Sequence, residues 1–156
     1  MIDKLIDQAC FTEQECDTAT SGLCASFALA LARTLADHKP QLVLVRPTRN
    51  GRVLTTGDGC KQWRHAAVLI DGRIYDIEGE QKIEWLAENY LWGVLGSNGH
   101  AIDALIAKEF MREVKQASGA LDRAYYLKMK QRLAVVLKDF QDQGNNGVDE
   151  KGRLAA

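Results

Sequence analysis

"WRHAAVLIDGRIYDIEG", Trp63 to Gly79, is the stretch whose reading decides the fold. Two short apolar runs flank Asp71-Gly72, a dipeptide suited to the two left-handed positions of a type I′ hairpin turn. With that turn, Ile70 faces Arg73, Leu69 faces Ile74, Val68 faces Tyr75, Ala67 faces Asp76 and His65 faces Glu78. Side chains alternate along a strand, so His65, Ala67, Leu69, Ile74, Asp76 and Glu78 share one face. His65 and Asp76 are diagonal neighbours, and small Ala67 leaves the space between them open. The register therefore permits an imidazole–carboxylate hydrogen bond among core residues, with Glu78 as the rival carboxylate.

Working outward, "QLVLVR" (41–46) and "RVLTT" (52–56) read as strands around a turn at "PTRNG", and "GDGCKQ" (57–62) as the loop into the hairpin. Upstream, "MIDKLIDQACF" reads as a short first helix and "ECDTATSG" as capping and turn residues. "LCASFALALARTLA" (23–36), dense in Ala and Leu, reads as a buried helix stopped by Pro40. Downstream the pattern turns helical in "QKIEWLAENYLW", "AIDALIAKEFMREVKQ" and "ALDRAYYLKMKQRLAVVLKDF". The expected architecture is an α+β domain over residues 1–142: a small antiparallel sheet on a central helix, with C-terminal helices. Residues 143–156 are expected to form a flexible tail.

Composition limits the function classes. A chain of 156 residues with 46% hydrophobic and 26% charged residues fits one globular domain. A formal net charge of -1, with no Lys/Arg run, gives no reason to expect a nucleic-acid or anionic-membrane partner. No apolar run approaches the ~18–20 residues that span a bilayer. The acidic start is unlike a secretory signal, so the expected compartment is the cytoplasm, although cargo of a dedicated secretion machine would look the same. Cys10, Cys16, Cys24 and Cys60 are then expected as thiols, and their spacing matches no common zinc module.

A histidine oriented by a carboxylate is the base half of a nucleophile–base–orienter arrangement. Cys24 supplies the other half. It falls in the first turn of the buried helix, where unpaired N–H groups and the positive dipole end favour a thiolate. The same N–H groups are placed to donate to an oxyanion.

"GLCASFALALARTL" followed by "RHAAVLIDGRIYDIEG" resembles the papain-like and transglutaminase-like cysteine hydrolases in chain order and in the placement of Cys at a helix start. The likeness covers roughly Ser21 to Gly79. It implies Cys24 as nucleophile, His65 as base and Asp76 as orienter, with no cofactor and a protein or peptide substrate. The implied reactions are amide or isopeptide cleavage, glutamine deamidation, or acyl transfer. Many papain-like enzymes carry a Gln a few residues before the nucleophile. Here Thr18 stands six before Cys24 and the nearest upstream Gln is Gln14. The second oxyanion donor is then open among a backbone N–H, Thr18, Thr20 and Trp63.

Two rival functions share these residues: a non-catalytic protein-binding module, and a metal-binding domain using Cys24, Cys60 and His65. His100 is read as a loop or helix-start residue and a backup base. Cys60 is read as a bystander near the site, and Trp85, Tyr90 and Trp92 as helix packing.

Overall fold

The computed structural model describes residues 1–117 and 119–146. It is a mixed α+β fold. Among the described residues, six α-helices accompany a six-stranded antiparallel sheet.

Helix α1 (Ile2–Gln8) buries Ile2, Leu5 and Ile6. Helix α2 (Glu13–Ser21) replaces the expected turn, for a reason visible in "TEQE". The Thr12 hydroxyl accepts from the Glu15 N–H at 3.1 Å, and Glu15 Oε1 accepts from the Thr12 N–H at 3.3 Å. Such a reciprocal cap contributes about 1 kcal/mol and outweighs the weak helix propensity of the Thr/Ser residues that follow. Helix α3 (Cys24–Thr34) is buried continuously from Cys24 to Ala32. Its alanines allow close approach on both sides, to the sheet and to the long α6 (Arg123–Asn146).

Strand β1 (Gln41–Arg49) runs three residues past its expected end. The chain reverses at Asn50-Gly51, both at positive φ (50° and 80°), which shortens β2 to Arg52–Val53. Strands β3 (His65–Ile70) and β4 (Arg73–Asp76) form the hairpin, with Asp71 and Gly72 at φ 50° and 75°. Ile70↔Arg73, Leu69↔Ile74 and Val68↔Tyr75 pair as the turn requires. Strand β5 (Gly79–Gln81) adds an edge, followed by α4 (Ile83–Leu91).

Strand β6 (Gly99–Leu105) then departs from the expected helix. It pairs with β1 from Thr48↔Gly99 to Leu42↔Leu105, so β1 lies between β3 and β6. Helix α5 (Ala107–Val114) follows. Where the tail was expected to begin, Gln143–Asn146 continue α6; the rest of that tail, 147–156, lies outside the described residues.

The sheet separates two cores. Leu42, Leu44, Ala66, Val68, Ile70 and Tyr75 pack with α3. Val43, Val45, Ala67 and Ile74 pack with Leu86 and Leu91 of α4. Among the described residues no helix is long and apolar enough to cross a membrane.

Candidate active site

Cys24, His65 and Asp76 lie at ends of their elements: Cys24 opens α3, His65 opens β3 and Asp76 closes β4. The start of β3 and the end of β4 meet because a hairpin is antiparallel. His65 continues the alternation of Ala67 and so lies on the α4 side of the sheet, whereas α3 packs on the other.

The hairpin ladder ends at Val68↔Tyr75. Beyond it His65 pairs with Val45 of β1, and Asp76 with Gly79 of β5. This corrects the expected pairing of His65 with Glu78. The chain reverses at Ile77-Glu78, which leaves Glu78 exposed with only its N–H turned to the site, toward Asp76 Oδ1 at 2.9 Å. The other oxygen, Asp76 Oδ2, lies 3.0 Å from His65 Nε2. Both residues are buried, His65 1% and Asp76 3% exposed. One carboxylate oxygen thus fixes the ring while the other fixes the carboxylate.

Tyr90 of α4 completes the setting. Its ring stacks on the imidazole, with centroids 3.8 Å apart and planes within 9°. Of the aromatic trio read as packing, Trp85 and Trp92 are instead 53% and 85% exposed. Tyr90 lies four residues after fully buried Leu86, so helical spacing carries it to the same face, but nothing in sequence identifies the ring it covers. Burial raises the Tyr90 hydroxyl above its ordinary value, and the nearby Asp76, Glu78 and Cys24 charges add to this.

The imidazole has two nitrogens and Asp76 occupies one. Nδ1 is buried with no hydrogen-bond partner among the described residues, which is costly for a polar atom unless a function needs it. Cys24 acts on this ring. Burial alone would lower His65, but the Asp76 hydrogen bond and then Cys24 overcome it, holding the imidazole at about 9. With Nε2 occupied by Asp76, Nδ1 is the nitrogen left free for a thiol. Cys24 is itself buried, at 6% exposed.

Cys24 opens onto a cleft of about 760 Å³. Thr20 to Leu23 form one wall, Cys60 to Arg64 another, and Glu113 and Gln116 a third. His65 does not line it. The donors left open by the sequence separate here. The Thr18 hydroxyl donates to Gln14 O at 2.8 Å and the Thr20 hydroxyl to Cys16 O at 2.9 Å, so both are spent within α2. Trp63 lines the cleft. In α3 itself the first-turn N–H groups of Cys24, Ala25 and Ser26 have no intrahelical acceptor by helix geometry.

Behind the Cys60–Arg64 wall lies a side chain that sequence reading passed over. Arg46 of β1 is fully buried. Its Nε donates to Asp103 at 3.0 Å, Nη2 to Glu113, and Nη1 to the Gln62 carbonyl at 3.4 Å. An Arg ending an apolar strand could have been flagged, but its acids lie far along the chain, on β6 and α5.

All four cysteines are free thiols. His100 lies on β6, exposed and opposite Pro47, across β1 from His65, so it is not the loop or helix-start residue expected. Among the described residues no three His, Cys, Asp or Glu side chains gather in a way that holds a metal, and the set Cys24, Cys60 and His65 is not assembled. No family model matches the chain, and neither a curated protein nor a solved structure matches it.

Proposed function

We propose that this protein is a cysteine hydrolase acting on an amide carbonyl. The observation that carries the reading is the His65 ring: one nitrogen bonded to buried Asp76, the other unpartnered and under the influence of a thiol at a helix N-terminus. Buried polar atoms in a scaffold are paired, whereas a general base must keep one lone pair or proton in reserve.

The roles follow from these positions. Asp76 keeps the proton on Nε2, so the Nδ1 lone pair faces Cys24 and accepts the thiol proton. The thiolate attacks the substrate carbonyl carbon, and the carbonyl π electrons move to oxygen. First-turn N–H groups of α3 and the Trp63 indole N–H are assigned to that oxyanion. Collapse expels the amine or ammonia, which takes the proton from His65 and leaves a thioester on Cys24. Water, deprotonated by His65, then releases the acid and restores the thiol. Peptide, isopeptide and glutamine side-chain amides all fit this sequence of steps.

The test is alkylation of the four thiols by iodoacetamide, read by peptide mass spectrometry. Cys24 is expected to react near neutral pH far faster than exposed Cys10, despite being buried. A Cys24 that stays inert below pH ~8, as a free thiol of pKa ~8.5 would, sinks the reading. It would favour a binding module instead, for which exposed Trp92 and Leu95 supply a contact surface.

A further inference from the structure

The cleft that opens onto Cys24 has a cationic wall. Lys61 and Arg64 both line it, either side of Gln62 and Trp63. Among the described residues, neither has a carboxylate within ion-pair distance. Two acids share the cleft. Glu113 is already ion-paired to buried Arg46. Asp58 sits on the 57–60 loop and accepts from Thr56.

The wall is also fixed. Lys61 bridges Thr55, the Gln62 N–H donates to Leu54 O at 2.8 Å, and the Gln62 carbonyl accepts from Arg46. The Arg64 N–H donates to Val45 O at 2.8 Å. Arg64 is the residue before His65, so its backbone is held by the sheet, and its side chain lines the same cleft as Cys24. Backbone held in this way loses little freedom when a ligand binds. Two unpaired cations on a fixed wall suit an anion, and Arg presents a fork that matches a carboxylate.

We infer that the Cys24 cleft selects acyl donors carrying a carboxylate near the scissile amide, with Lys61 and Arg64 as its binding residues. This rests on the cysteine-hydrolase reading and assigns the substrate class of the same site.

Two alkylating agents that differ in charge test it without a known substrate. The rate ratio of anionic iodoacetate to neutral iodoacetamide is measured at Cys24 in the wild type and in a Lys61→Gln/Arg64→Gln double variant. The His65 imidazolium attracts iodoacetate in both proteins, so the change in ratio isolates the wall. The ratio is expected to fall roughly three- to ten-fold in the double variant, the scale of two exposed charge contacts. Arg64→Lys alone keeps the charge but loses the fork, and should leave the ratio between wild type and the double variant. Raising NaCl to about 0.5 M should bring the wild-type ratio toward that of the variant. A ratio unchanged by the double substitution, with Cys24 still reactive, overturns this inference and leaves the hydrolase reading standing. Slow alkylation of Cys24 by both reagents overturns the two together.

Discussion

Arg46 and His65 are buried basic side chains on adjacent strands, since His65 pairs with Val45 and Arg46 is the next residue. Both hold carboxylates, yet they end differently. Each of the three Arg46 guanidinium nitrogens has an acceptor, from Asp103, Glu113 or the Gln62 carbonyl. His65 has one nitrogen matched and one left over. The guanidinium is a closed unit that braces β1, β6, α5 and the cleft wall. The imidazole is open and has a thiol within its influence. A buried polar group whose bonds are complete reads as scaffold, and one left incomplete beside a nucleophile reads as chemistry.

The sharpest way to break this contrast is Asp76→Asn. The amide no longer favours the imidazolium and disturbs the tautomer, so turnover is expected to drop roughly 10²–10⁴-fold. Steady-state rates on any accepted amide would show it, and a loss under ten-fold would mean that the open pair is not an acid–base device. Arg46→Met should act on stability instead. Two carboxylates lose their buried partner, which costs on the order of 3 kcal/mol, read as a lower urea midpoint. An unchanged midpoint would show that the closed pair braces nothing.

Proton linkage gives a smaller effect. His65 lies at about 9 in the fold against an ordinary 6.5. Its protonated form therefore stabilises the native state fully below pH 6.5, and that contribution is lost as pH rises through about 9. Urea midpoints of the wild type should fall between pH 6 and pH 9.5 by more than those of Asp76→Asn. Parallel curves would remove His65 from the linkage. On the proposed mechanism the alkaline limb of turnover is expected near 9 for the same reason, since there the amine leaves with the imidazolium proton. The smallest effect is expected for Glu78→Gln, within a few-fold of wild-type turnover. Glu78 is exposed and gives the site only a backbone N–H, which glutamine retains.

The hairpin and the central helix were legible because their signals are local. Asp71-Gly72 specifies a turn whose twist fixes three residue pairs. The Ala/Leu run of α3 admits no polar face. Helix α2 was not read, because "ECDTATSG" taken alone reads as turn and its cap lies upstream, between Thr12 and Glu15. Strand β6 was not legible. Ile102, Leu105 and Ile106 fall at helical spacing, and the segment becomes a strand because β1 has a second edge to satisfy. That is tertiary context, which no local period carries. The same holds for Tyr90 and Arg46, whose roles depend on partners distant in sequence. The rival pairing of His65 with Glu78 failed because the ladder stops at Val68↔Tyr75, and a chain reversal at Ile77-Glu78 has no strong turn dipeptide to announce it.

One feature of the hairpin bears on how the site assembles in time. His65 and Asp76 are 11 residues apart, joined through a two-residue turn. Hairpins of this kind close in about 1–10 μs, without waiting for distant chain. Cys24 reaches them only after a longer loop closes and after α3 docks on strands that follow it in sequence. The β3–β4 ladder is therefore expected to form before Cys24 reaches it. Amide protection during refolding should accordingly appear at Val68 and Tyr75 before it spreads through α3.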